Sequence, residues 1–447
     1  MTIKRKLITS LPPSFKRALA VPYDYYQTSR ANRQFAAKSI PDGHPAESAP
    51  DHIICVVVDA LRADHVTQDL TPYLSSLNGT DAVSPGTWTF PAVSSIVSGQ
   101  YPHEHGAMRQ TDDLDDTDGI RLPPRMDDNQ TTITEALAGA GYDTYGAFGH
   151  DTPFVALSGR FQTHKLYHTI TARAAHLIDD YLSWVKGRER TFAFLHLADP
   201  HAPVTPPEKY KNTHDVDDSI DGLENWRYQT DTDCDDECKR YREHRRRLYR
   251  AAVEYVDDVL GSFEKRATDL LEDPLVVITA DHGEAHWEHL AFDVEHFDGS
   301  GCVDHGCAPY EEVARVPLLT NADWSFGGIR SLVDLPVTLA TVTGVELPPA
   351  SGRSLLDEAE DDRPVLIEGS LSGHEKKAVY VDGYKLLVSA GHDVEVGYTL
   401  PEEEQTQLPD DVYEVLSAAV PPWPDEDESE TQVSSVVESR LEQLGYS

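Results

Sequence analysis

Three short apolar runs, IICVVV (53–58), FAFLHL (192–197) and LVVIT (275–279), constrain the fold of this chain more than any other feature. Each is rich in β-branched or aromatic residues and shows little polar alternation, the pattern of a strand buried on both faces. YDTYGAF (142–148) is a weaker fourth run. Segments of helical periodicity separate them. The fold expected is therefore α/β, a mostly parallel central sheet with helices on both faces. The ends of these runs are more informative than their interiors. The first stops at Asp59, the second is followed by Asp199 and His201, the third by Asp281, His282 and Gly283, and the fourth by His150. In a parallel sheet those ends share one edge, the carboxyl edge where such folds bind ligands.

Taken singly, an Asp after a strand also reads as a helix cap, and His150 or His201 as a loop residue. Taken together, Asp59, Asp281 and His282 offer the carboxylate oxygens and neutral imidazole that a divalent cation takes. The segment TWTFPAVSSIVSGQYPHEHG (87–106) supplies a partner for such a cation. Thr89 reads as an N-cap, Phe90 and Pro91 as the first turn, and Gly99 as the C-terminal stop. The positive end of that helix and an adjacent cation would both stabilise a threonine alkoxide, which makes Thr89 a nucleophile candidate. The alternative is a threonine that only caps a helix.

Charge narrows the partners. Asp and Glu number 77 against 38 Lys and Arg, a formal net charge of −39, while 39% of residues are apolar. A core is affordable, so the acidity reads as a surface adaptation to high salt, and a nucleic-acid partner is disfavoured. Residues 1–49 form an exception. Lys4, Arg5, Lys6, Lys16, Arg17, Arg30, Arg33 and Lys38 face one acid, Asp24, within residues 1–40. Such a basic arm folds back on the acidic body or makes peripheral contact with anionic lipid, and the former is favoured because salt weakens the latter. No apolar run is long enough to span a bilayer and no secretory signal is recognisable, so a cytoplasmic location is expected. The odd count of five cysteines fits reduced thiols, although CDDEC (234–238) and CVDHGC (302–307) have spacings open to zinc or a disulfide.

The motif order resembles the sulfatase family within the alkaline phosphatase superfamily, over roughly residues 50–390. The matching pieces are VVVDALRADH, TFPAVSSIVSGQYPHEHG, LADPHAP, YRAAVEYVDDVLG, ITADHGE, DHGCAPYEEVARVPLL, DLPVTLATVTGVELPPASGRSLL and LEQLGY. The resemblance implies an alkaline-phosphatase-like sheet, Asp59, Asp281 and His282 as metal ligands, and Thr89 as the metal-bound nucleophile. It implies further that His201 and His305 touch the anionic group or protonate the leaving oxygen. His150, His103 and His105 match positions near the substrate, the last two also fitting a supporting role. Departures from the family bear on substrate. Sulfatases carry Cys or Ser in a CxPxR-like pattern and convert it to an aldehyde hydrate, whereas this chain has Thr89, Pro91 and Val93. A second carboxylate after the first strand is replaced by Ala60, and the lysine of a GKWHLG-like segment is replaced by Gly149 and His150. The threonine resembles that of phosphodiesterases and of phosphoglycerol and phosphoethanolamine transferases.

A threonyl phosphate can be displaced in line with metal help, whereas a threonyl sulfate is hard to break again. The expected function is a metal-dependent hydrolase or transferase of phosphate mono- or diesters. The alternatives are a sulfuric ester hydrolase and an inactive anion- or glycan-binding module. The cofactor is one Mn²⁺, Zn²⁺, Ca²⁺ or Mg²⁺ ion, with a second site open to Asp199, His201 and His305. The substrate is an anionic ester with a glycan or lipid as candidate alcohol. KRYREHRRRLYR (239–250) reads as a solvated helix face, and HWEH (286–289) lacks zincin spacing. The catalytic domain is expected over 50–357 and a small antiparallel unit over 358–420, with a hairpin turn at Asp382 and Gly383. An acidic linker and C-terminal helix are expected over 421–447.

Overall fold

The computed structural model describes residues 13–109, 122–167, 173–297, 303–357, 363–371, 373–381 and 383–423. Seven strands build the main sheet: β1 (His52–Val58), β2 (Asn78–Val83), β3 (Asp143–Phe148), β4 (Thr163–Leu166), β5 (Thr191–Leu197), β6 (Leu275–Thr279) and β7 (Arg315–Thr320). Their order is β2-β7-β6-β1-β5-β3-β4. β6, β1, β5, β3 and β4 run parallel, and β7 is antiparallel to both β6 and β2. The three strong apolar runs are the three adjacent central strands. Every residue of β1, β5 and β6 is buried, which requires cover on both faces. Each Val, Ile or Phe so buried contributes about 1.5–3 kcal/mol.

Register determines where the strand ends fall. Val57 lies opposite both His196 of β5 and Thr279 of β6, so Asp59 and Asp281, each two residues further on, reach the same level. Phe148 at the end of β3 also lies opposite His196, which brings His150 to that edge. The Asp59 N–H donates to Leu197 O at 2.8 Å and extends the ladder into the site.

The buried helix Thr89–Ser98 ends at Gly99, whose φ of 74° permits the closing bond to Ser95 O. Its start differs by one residue from the sequence expectation. Trp88, with extended φ and ψ of −155° and 170°, is the N-cap, and Thr89 is the first helical residue. The Thr89 hydroxyl is consequently not spent on its own helix.

A second, five-stranded sheet is the antiparallel unit expected near the C-terminus. It comprises β8 (Val365–Ile367), β9 (Lys377–Val381), β10 (Tyr384–Ser389), β11 (Val394–Thr399) and β12 (Glu404–Thr406) in meander order. Val381 and Tyr384 pair across the hairpin at Gly383; Asp382 lies outside the described residues. The helix Asp410–Ala418 follows, and the expected C-terminal helix, with all of the linker beyond Trp423, also lies outside them. In the N-terminal arm the helix Pro13–Ala36 packs beside β4, Asn32 Oδ1 accepts the His164 N–H at 2.8 Å, and Lys38 pairs with Glu135 at 2.5 Å. None of the described helices is long and apolar enough to cross a membrane. Contrary to the expectation of reduced thiols, Cys234 and Cys238 form a disulfide, because the turn entering the helix Asp236–Leu270 brings their Cα atoms to 5.3 Å. That removes the thiol argument for a reducing compartment; Cys302 lies outside the described residues.

An ionic cluster joins the small sheet to the main body. Lys385 of β10 is paired with Glu403 and, at 3.3 Å, with Glu311, while His289 Nε2 lies 3.2 Å from Glu312 and 3.3 Å from Glu403. Burial opposes the Glu403 charge, but Lys385 and His289 outweigh it and hold the carboxyl at about 2. Burial likewise opposes the His289 charge, and hydrogen bonds to Glu312 and Glu403 outweigh it and raise the imidazole to about 10. A depressed carboxyl stabilises above its unfolded pKa and loses that contribution as pH falls through the folded value. A raised imidazole stabilises below its unfolded pKa and loses its contribution as pH rises through the folded value. The Tm gap between the native chain and Glu403→Gln should therefore be widest at about pH 5–6.5 and narrow towards pH 2 and pH 10. A gap independent of pH in thermal melts would show that the cluster does not tie the two parts together.

Candidate active site

Asp59 and Asp281 are fully buried, as are His282 and Thr89. One oxygen from each carboxylate and one nitrogen of His282 lie within 4.8 Å of one another. His282 Nε2 is the centre of the group, 3.2 Å from Thr89 Oγ1, 3.3 Å from Asp59 Oδ1 and 3.8 Å from Asp281 Oδ2. Its Nδ1 donates to Gly283 O at 2.9 Å, which leaves Nε2 as an acceptor. A Cβ at Gly283 would collide with the Glu312 carbonyl, so the turn that delivers the imidazole depends on glycine. Three acceptors thus converge with one hydroxyl among them. Asp59 Oδ1 makes no hydrogen bond, although it lies within ion-pair distance of His282. An acceptor-only cluster with an orphaned buried carboxylate oxygen fits a divalent cation in donor type and in number.

Local structure holds the two acids in place. Ser84 Oγ donates to the Asp281 carbonyl, and Asp281 Oδ1 accepts the His282 N–H at 3.1 Å. Beyond Asp59 the chain turns through Ala60 at φ 60°, a left-handed conformation costly for alanine. The Tyr249 hydroxyl secures that turn, donating to Ala60 O at 2.6 Å and accepting the Arg62 N–H at 3.1 Å.

Imidazoles complete the wall. His150 Nε2 lies 2.6 Å from Asp59 Oδ2, and His196 Nε2 lies 3.0 Å from Asp281 Oδ2 and 3.9 Å from Asp59 Oδ2. Burial works against the Asp59 charge, but His201, His150 and His196 outweigh it and hold the carboxyl well below its usual range. At Asp281, burial and the charge of Asp59 are outweighed by His282 and His196, and this carboxyl is also lowered. His282 is lowered chiefly by burial, and burial takes His201 down to about 4. The ring centroid of His305 is 4.1 Å from that of His282 and 4.9 Å from that of His201. Its Nδ1 lies 2.6 Å from Asp304 Oδ1 and 3.1 Å from Glu284 Oε1.

The structure therefore gathers Asp59, Thr89, His150, His201, Asp281, His282 and His305. His103 and His105 make other contacts: His103 Nδ1 meets Glu368 Oε1 at 2.6 Å, and His105 Nε2 meets Ser95 Oγ at 2.9 Å, which supports the base of the Thr89 helix. Asp199 departs from the second ligand group expected for it. Its carboxylate accepts the Ala174 N–H at 2.9 Å at the start of the helix Ala174–Trp184, while His305 takes Asp304 and Glu284 as partners. The basic helix face is only partly solvated, since Arg245 is fully buried. His286 of HWEH is buried beside Tyr249, and His289 belongs to the ionic cluster. His196, Glu284 and Asp304 were missed in the sequence. The one available signal was an imidazole inside FAFLHL, a residue costly to bury in an apolar strand without a partner.

Two buried carboxylates side by side repel in the absence of a cation. Asp59→Asn should raise the Tm of the chelator-treated protein and abolish the rise that Mn²⁺ or Zn²⁺ gives the native chain. For the native chain that rise corresponds to about 2.7 kcal/mol at 100 times Kd. An Asp59→Asn protein that is less stable without metal, or equally stabilised by it, would contradict a cation at this position.

Known proteins share this arrangement at the level of fold. Arylsulfatase K of Canis lupus familiaris is 33% identical over 119 residues, 25% of this chain and 20% of that relative. The Mus musculus protein is also 33% identical over 119 residues, 25% of this chain and 19% of its own length. The alignments thus span about a fifth of these curated relatives. Among solved structures, BT4656 in complex with its substrate D-glucosamine-2-N,6-O-disulfate superposes with a TM-score of 0.62 at 15% identity, over 89% of this chain and 98% of that one. The phosphonate monoester hydrolase SpPMH from Silicibacter pomeroyi gives a TM-score of 0.57 at 16% identity, over 78% of this chain and 89% of that one. The sulfatase family model matches residues 51–330, and with that span and this fold the chain belongs to the sulfatase family, on the α/β architecture of the alkaline phosphatase superfamily.

Proposed function

We propose that the protein is a metal-dependent hydrolase of phosphate mono- or diesters that works through Thr89. The observation that carries this reading is the Thr89 hydroxyl, 3.2 Å from His282 Nε2 at the start of a buried helix. Asp59, Asp281, His282 and Thr89 are the residues that would hold a divalent cation, and such an ion supplies positive charge that acidifies the hydroxyl and polarises the ester. Thr89 Oγ1 gives up its proton to solvent water and bonds to phosphorus as the bond from phosphorus to the alcohol oxygen breaks. His305 gives a proton to the departing oxygen, and water then displaces the phosphoryl group from Thr89. His305 suits the acid role because carboxylates engage its Nδ1, the arrangement that orients an imidazole for proton transfer through Nε2. His201, whose Nδ1 donates to Ala202 O at 2.6 Å, is left to contact the anionic group. Fold neighbours that include a phosphonate monoester hydrolase support a phosphorus-centred reaction.

A second reading, sulfate-ester hydrolysis, is favoured by the family match and by the curated arylsulfatase relatives. Threonine cannot supply an aldehyde hydrate, so that chemistry would need direct attack by water.

With Mn²⁺ or Zn²⁺ in high salt, the protein should cleave p-nitrophenyl phosphate or bis-p-nitrophenyl phosphate faster than p-nitrophenyl sulfate. Thr89→Ala should lower kcat/KM by about 10³-fold or more. Intact mass after brief exposure to substrate should show one added phosphoryl group on the native chain and none on Thr89→Ala. A sulfuryl adduct, or full activity in Thr89→Ala, would overturn the phosphate reading.

A further inference from the structure

His196 interrupts the apolar run of β5, and its side chain is fully buried. An imidazole in such a strand is costly unless it is paired, and its partner is an acid of the cluster: Nε2 lies 3.0 Å from Asp281 Oδ2. His150 repeats the arrangement on the other acid, with Nε2 2.6 Å from Asp59 Oδ2. The two rings pack edge to face, their centroids 5.3 Å apart. One oxygen of each carboxylate is thus taken by an imidazole.

Neighbouring groups fix the role of His150. It is the N-cap of the helix Asp151–Ala156, and its Nδ1 accepts the Thr152 N–H at 3.4 Å. The hydrogen therefore sits on Nε2, which donates to Asp59. Asp59, His150 and His196 have donor types that a cation could take, but a nitrogen that carries a hydrogen is not a ligand. Capping alone does not require Nε2 to meet an acid. The contact divides the Asp59 carboxylate: Oδ2 is engaged by the N–H, while Oδ1 makes no hydrogen bond and lies 3.3 Å from His282 Nε2. Asp281 is fixed from both sides, Oδ1 by the His282 N–H at 3.1 Å and Oδ2 by His196.

We propose that His150 and His196 are positioning residues that clamp Asp59 and Asp281 by one oxygen each, so that the pair offers single oxygens to a small divalent cation and discriminates against Ca²⁺. The inference rests on the reading of Asp59, Asp281 and His282 as the ligands. Ca²⁺ gathers about six to eight oxygens and readily takes both oxygens of a carboxylate, whereas a smaller ion needs fewer donors. No bond is made or broken at either histidine.

Ion selectivity separates this role from a structural one. Free Mn²⁺ gives an electron paramagnetic resonance signal in solution that is lost on binding. Titration of the chelator-treated, full-length protein therefore reads affinity without turnover, and displacement by Ca²⁺ reads selectivity. His150→Phe and His196→Phe keep a ring but no donor, and each should weaken Mn²⁺ binding by about 10–100-fold. Ca²⁺ should lose less, so that the preference for Mn²⁺ falls. His150→Gln retains an N–H donor and should recover part of the loss. Circular dichroism checks the fold, and the two His150 variants carry the test if His196→Phe does not fold. A native chain that takes up no Mn²⁺ would overturn the cation reading itself. Native binding combined with unchanged affinity in folded His150→Phe, or with equal losses for Mn²⁺ and Ca²⁺, would overturn the clamp.

Discussion

Asp59 and Asp281 follow adjacent parallel strands at the same level, both fully buried and with no lysine or arginine among their nearest described partners. Two like charges within 4.8 Å repel by on the order of 3 kcal/mol even at an effective dielectric constant near 20. Most of what surrounds them follows from that repulsion. His150, His196 and His282 lean on the pair, Ser84 ties down the Asp281 backbone, and Tyr249 secures the left-handed turn after Asp59. Two buried acids at this spacing suit a cation, whose charge would offset a repulsion that a neutral Asn at either position would remove.

The Thr89 helix brings a hydroxyl to that charge. Its N-terminus points into the acid cluster, and its first residue places a hydroxyl against the nitrogen that would be a ligand. Supporting contacts radiate outward from it. His105 bonds Ser95 on the same helix, and His103 bonds Glu368, which pairs with the buried Lys377 of the small sheet at 2.9 Å. The small sheet is thus connected to the Thr89 helix through a short series of polar contacts.

Much of this was legible in the sequence because strand ends are punctuated by chemistry. An apolar run that stops at an acid announces its own end and puts a carboxylate at the sheet edge, which is why the convergence of Asp59, Asp281 and His282 could be read without coordinates. The helix around Thr89 was visible through Pro91 and Gly99, although its first residue was displaced by one, since backbone angles at Trp88 leave no trace in composition. His196 was hidden because a strand reads by its apolar majority. Arg245 was hidden because a basic run on a helix reads as solvated, and only the packing of Trp226 shows that one position turns inward. Asp304 depends on a strained φ and on a bridge to Ala285, neither of which any local pattern encodes. The Cys234–Cys238 bridge was passed over because the odd cysteine count favoured free thiols.

The claim on which the account depends is a cation bound beside the Thr89 hydroxyl. Anomalous scattering from crystals of the full chain grown with Mn²⁺ tests it most directly. A peak at about 2.0–2.3 Å from carboxylate oxygens of Asp59 and Asp281 and from His282 Nε2, with Thr89 Oγ1 completing the shell, is the predicted result. Density for the metal at His289, Glu312 and Glu403 instead, or no peak with Asp59 and Asp281 ordered, would contradict it.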